Sequence, residues 1–126
     1  MLTTEENRYF DDEQAMHEEK YLVGTNPRQQ PGFGRDERDW ERYRRVVVAP
    51  VKMDGAYLDI GCANGLLMES IANWAQEDGY HIEPYGLDIS ARLAELAREP
   101  SSLAGADLRW QCTLLEFAAP LRIRAN

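Results

Sequence analysis

Histidine and cysteine are scarce in this chain, with two of each in 126 residues. His17 and His81 stand alone, without a second ligand at metal spacing, so no metal site is expected. Cys62 and Cys112 are expected at the ends of strands that are not neighbours, about 10 Å apart at roughly 4.8 Å per strand step, so both are read as free thiols. Long apolar runs are missing too. None approaches the roughly 20 residues that span a bilayer, and the start Met1-Leu-Thr-Thr-Glu-Glu6 lacks the basic and apolar regions of a signal peptide. A cytoplasmic protein with no membrane partner is the simplest expectation. Basic residues are outnumbered, 14 Lys and Arg against 22 Asp and Glu, for a net charge of -8. That balance disfavours nucleic acid, whose phosphates demand basic patches.

What remains is an ordinary soluble composition, 44% hydrophobic, at a length that allows one modest domain. Residues 1–52 form an arm. Its first 22 residues are acidic, with Tyr9, Phe10, Met16, Tyr21 and Leu22 as scattered anchors for a loosely docked helix. Gly24 to Gly34 holds two prolines and three glycines and reads as a loop. Asp36 can cap a helix running towards Val48, with Trp40, Tyr43 and Val47 on its inner stripe, and Pro50 ends it. The loop and this helix could together close over a ligand as a lid carrying Phe33, Arg35 or Trp40.

Residues 53–126 alternate between strand and helix signals. Tyr57 to Ile60 reads as a short buried strand; Leu66 to Glu77 reads as a helix with Leu67, Ile71, Trp74 and Ala75 inward, closed by Asp78-Gly79. A second strand lies within His81 to Asp88, a helix capped by Ser90 spans Ala91 to Arg98, and Leu108 to Cys112 is the third strand. The fold class is therefore α/β, a β-α-β-α-β run corresponding to the N-terminal half of a doubly wound, Rossmann-like parallel sheet, preceded by a helical arm.

The chemistry concentrates where the first strand turns into its helix. Gly61 lets the chain leave the strand sharply, and Gly65 opens the helix. A turn of this kind can aim backbone N–H groups at a ligand. Asp59 places negative charge at the strand end, which repels a pyrophosphate and attracts an ammonium or a sulfonium. Asp88, closing the second strand, can take two ribose hydroxyls through charge-assisted hydrogen bonds, and Ile89 can lie flat on a purine. The spacing Asp-x-Gly-x-x-x-Gly departs from the dinucleotide pattern Gly-x-Gly-x-x-Gly.

Leu58-Asp-Ile-Gly-Cys-Ala-Asn-Gly65 and Gly86-Leu-Asp-Ile-Ser90 resemble the first and second motifs of the class I S-adenosylmethionine-dependent methyltransferases. The resemblance covers residues 53–112, and the segment Gln30 to Trp40 is similar to an arm in a bacterial subset of that family. It implies S-adenosyl-L-methionine as cofactor, held by the backbone of Gly61, Cys62, Ala63 and Gly65, with Asp59 on the amino group and Asp88 on the ribose. Thr113 stands where the family presents a polar group to adenine. Ala63 replaces the usual middle glycine and is expected to keep φ below zero. No catalytic residue is assigned, because holding donor and acceptor in line needs no universal base, and the methyl acceptor is not legible. The family's fourth strand, which lies beside the first, is not legible between Thr113 and Asn126. The expectation is a truncated product, or a chain completed by self-association or a partner along the open first-strand edge. Two other readings compete: a catalytically inactive cofactor-binding remnant or half-domain, and an NAD-binding domain.

Overall fold

In the computed structural model, residues 3–31, 37–99 and 111–114 are described. Helix α1, Thr4–Leu22, opens on a reciprocal cap: Thr3 Oγ1 accepts from the Glu6 N–H, and the Glu6 carboxylate accepts from the Thr3 N–H. None of its residues is buried, so α1 is held by polar contacts instead of an apolar stripe. The chain leaves it through Gly24 at φ +129° and makes a 3-10 turn at Pro27–Gln29.

Helix α2, Glu37–Arg44, passes directly into a 3-10 turn, Arg45–Val48. The proposed cap Asp36 lies outside the described residues. The inner stripe differs from the expected one. Val48 is buried at the end of the 3-10 turn, whereas Val47 beside it and Tyr43 within α2 lie at the surface. Trp40 does face inward, with its indole N–H donating to Ser70 Oγ at 2.9 Å.

The rest is mixed α/β, with parallel strands in an open sheet. Strands β1 (Gly55–Ile60), β2 (Ile82–Asp88) and β3 (Gln111–Leu114) stand in the order β1-β2-β3. Helices α3, Leu66–Glu77, and α4, Ala91–Ala97, connect them. Ser90 caps α4 as expected, its hydroxyl accepting from the Leu93 N–H. β3 is described over Gln111–Leu114, two residues past its expected end at Cys112, and the predicted positions 108–110 lie outside the described residues.

Two apolar clusters hold these layers. Val48, Ile71, Ala72, Trp74, Ala75 and Ile82 form the larger; Cys62, Met68, Ala94 and Ala97 form the smaller, under the turn. Burying a side chain such as Ile71 contributes about 1.5–3 kcal/mol. Gly86 is fixed by space, since a Cβ there would lie 2.7 Å from Cys62 Sγ and 2.8 Å from Met68 Sδ.

β1 is not the buried strand that its apolar run predicts. Leu58 is 47% and Ile60 73% exposed, while β2 buries Ile82, Pro84, Gly86 and Asp88 on its other, helix-covered face. Among the described residues no strand pairs with the outer edge of β1, and its apolar residues on that face remain uncovered. No described helix is long and apolar enough to cross a membrane.

Candidate functional site

Five N–H groups of the turn between β1 and α3 are spent inside the protein. Those of Gly61 and Cys62 both donate to Leu87 O, at 2.7 and 3.0 Å, which lashes the turn to the end of β2. The Ala63 N–H donates to Asp88 Oδ2 at 2.8 Å, the Gly65 N–H to Cys62 O at 2.9 Å, and the Leu66 N–H to Asn64 Oδ1 at 3.1 Å. The expected array of N–H groups aimed at a ligand is therefore largely turned inward.

The backbone follows from these bonds. Gly61 and Gly65 both adopt φ +81°, where glycine has no Cβ penalty. Gly61 needs only that freedom, since a Cβ there would meet nothing within 4 Å; at Gly65 a Cβ would also lie 3.0 Å from that of Ala97. Ala63 overturns its expectation: it sits at φ +47°, in the left-handed region. Reaching Asp88 while its two predecessors bind Leu87 forces that conformation, at a cost of about 1 kcal/mol for a residue with a Cβ.

The two acids have different surroundings. Asp88 is 3% exposed, and each of its oxygens accepts a backbone N–H, Ala63 on Oδ2 and Ser90 on Oδ1, both at 2.8 Å. It thus joins the turn to the start of α4, and any ribose contact must use the lone pairs left over. Asp59, half-buried at the end of β1, has no hydrogen-bond partner among the described residues. Burial, and secondarily the charge of Asp88, push its carboxyl pKa up to about 6 from 3.8. A negative charge without donors, facing a second negative charge, is a site for a cation.

The arm closes one side of this region. Ser90 Oγ donates to Glu18 Oε1 at 2.5 Å, and Arg92 approaches Glu18 at 3.8 Å. Tyr21, three residues on, is pushed above the usual phenol range by burial, with the charges of Asp88 and Asp59 adding to it and Arg44 opposing. Asn64, 2% exposed, donates through Nδ2 to Pro27 O and Gln30 O, both at 2.9 Å. Arg28 in the same 3-10 turn meets Glu69 of α3 in a buried ion pair at 3.0 Å. Burial lowers the Arg28 pKa, with Glu69 opposing.

Asp59, Gly61, Cys62, Ala63, Gly65, Asp88 and the partly exposed Ile89 are thus gathered at one end of β1 and β2. The Cys62 thiol is buried and in no disulfide. Thr113 lies inside β3, opposite Leu87, and not after the strand as expected. Trp40 bonds to Ser70 and packs beside Val48, away from the turn, and Phe33 and Arg35 lie outside the described residues, so a lid built on those side chains finds no support. Sequence reasoning missed Asn64, Arg28, Glu69 and Tyr21. Asn64 had a signal, an Asx residue just before a helix start; the others depend on contacts between the arm and α3 that no spacing encodes.

Compared with models of known families and with curated proteins, the chain matches none.

Proposed function

We propose that the turn from Asp59 to Gly65 binds S-adenosyl-L-methionine, and that the chain is the cofactor-binding part of a class I methyltransferase built on half of a doubly wound, Rossmann-like sheet. The observation that carries this reading is Asp59: a half-buried carboxylate without a donor among the described residues, beside a second carboxylate, at the open end of a glycine turn. A cationic nucleoside satisfies that charge. A dinucleotide fits poorly, because two acids repel its pyrophosphate and five turn N–H groups are already engaged. Bound there, the cofactor would supply an electrophilic methyl on its sulfonium. The chain's own part is to hold the amino-acid end against Asp59 and the ribose end near Asp88, with Ile89 beside the base and the arm excluding water on one side.

The test uses thermal unfolding with S-adenosylhomocysteine. At a hundredfold excess over Kd, the ligand should stabilise the protein by about 2.7 kcal/mol, and NAD should give no shift. Asp59→Asn removes the charge without disturbing a bond, so it should abolish the shift. Asp88→Ala is the poorer variant, since it strips partners from the Ala63 and Ser90 N–H groups. No shift in the wild-type chain would sink the proposal. The uncovered β1 face favours a second reading, a binding unit that turns over only with a partner chain; methyl transfer from labelled cofactor by the chain alone would refute it.

A further inference from the structure

Ser90 is 1% exposed, and its N–H and hydroxyl reach three separate parts of the protein. The N–H donates to Asp88 Oδ1 at 2.8 Å, Oγ accepts from the Leu93 N–H at 3.1 Å, and the hydroxyl proton goes to Glu18 Oε1 of α1 at 2.5 Å. A hydroxyl has one proton to give, and Glu18 takes it. Glu18 is itself held: Gln14 Nε2 donates to the same oxygen at 3.1 Å, Arg92 Nη1 lies 3.8 Å from the other, and only 14% of the side chain is exposed. Burial works against its charge, but the bonds from Ser90 and Gln14 and the charge of Arg92 prevail and keep its pKa below the usual carboxylate value. The bond to Ser90 is therefore charge-assisted, about twice as strong as a neutral one. Asp88 Oδ2 in turn accepts the Ala63 N–H of the glycine turn at 2.8 Å. One series of bonds thus runs from the arm, through the cap of α4, to the carboxylate at the end of β2 and on to the turn.

We propose that Glu18 is a positioning residue for Asp88: seating the arm on Ser90 fixes the carboxylate that receives the cofactor's ribose, so arm seating and nucleoside binding reinforce each other. This rests on the cofactor reading and adds regulation of the same site by residues 3–30. With Glu18 gone, the Ser90 hydroxyl proton loses its acceptor, and the bend from Asp88 to Ser90 loses its outer tether. Asp88 then keeps its two N–H donors but not a fixed direction for its remaining lone pairs. A coupling between two binding events is reciprocal, so a ligand on Asp88 also holds the arm down.

Hydrogen exchange on the full chain, with and without saturating S-adenosylhomocysteine, tests the reciprocal half with no substitution. The α1 amides exchange by local opening, which a ligand slows only if it is coupled to the arm; they should slow at least about fivefold. Unchanged α1 exchange with the ligand bound would overturn the proposal and leave the cofactor reading intact, whereas no binding at all would end both. Calorimetry reads the other half. Glu18→Ala should weaken S-adenosylhomocysteine at least about fivefold, and Glu18→Gln, which keeps an acceptor oxygen for Ser90, should restore part of the loss. The counterpart ligand lacking both ribose hydroxyls, which still carries the amine for Asp59, should bind Glu18→Ala and the wild-type chain alike. Equal weakening of that ligand, or full affinity for S-adenosylhomocysteine in Glu18→Ala, would overturn the role of Glu18. If Glu18→Ala does not fold, the wild-type exchange result decides.

Discussion

The N-terminal part of the arm, residues 3–30, and the sheet unit are held by different forces. From Gly55 to Glu99 the chain is organised around two apolar clusters, with Met68, Ile71, Leu93, Ala94 and Ala97 removed from water. Residues 3–30 contribute no apolar side chain to either cluster; they are attached through Glu18, Asn64 and Arg28. Hydrophobic packing is cooperative and insensitive to salt, whereas polar docking is local and can be undone bond by bond. The difference teaches that residues 3–30 can leave or reseat without unfolding the sheet, which suits a segment that lies against a ligand site.

The largest effect should come from the sheet unit. Ile71→Ala deletes a fully buried side chain and should destabilise the whole protein by about 3–4 kcal/mol in denaturant melts. A small loss there would break the comparison. Asn64→Ala should act on the arm, costing about 2 kcal/mol, because it leaves the Gln30 carbonyl and the Leu66 N–H without that partner and takes one of two donors from the Pro27 carbonyl. Hydrogen exchange should then rise in α1 and in residues 27–30 well before it rises in α3; uniform acceleration would show the two regions to be one cooperative unit.

Asp59 provides a pH test within the sheet unit. Its folded-state pKa, about 6, lies above the ordinary 3.8, so the folded chain binds the extra proton and loses stability as pH rises through that window. Partial exposure screens the effect to about 1–2 kcal/mol. Asp59→Asn should remove this decline and raise the melting temperature at pH 7, the opposite sign from its effect on ligand binding. The smallest change expected is Ala63→Gly, which relieves a left-handed alanine and should stabilise by up to about 1 kcal/mol, offset in part by a more flexible unfolded chain. A destabilising Ala63→Gly would mean the turn carries no strain.

Much of the sheet unit was legible because its signals are local. The α3 boundaries, Leu66 and Glu77, follow from a glycine before and an Asp-Gly pair after an apolar periodicity, and Ser90 announces α4 in the same way. The burial of β1 was misread. An apolar strand of four residues looks the same whether both faces or one face is covered, and only the layer arrangement decides. Val48, not Val47, is the core residue, at the end of a 3-10 turn that follows α2 after Arg44, and no residue there signals the change of helix type.

By itself the sequence determined the alternation of strands and helices, the glycine turn and the two acids beside it, since each depends on residues close along the chain. Tertiary structure alone decided what those acids do. It gave Asp88 two backbone donors and left Asp59 with none among the described residues, it forced Ala63 into a left-handed conformation, and it brought Arg28 of the arm beside α3. The physical reason is that hydrogen-bond satisfaction and burial are settled between segments distant in sequence, where the order of residues carries no distance.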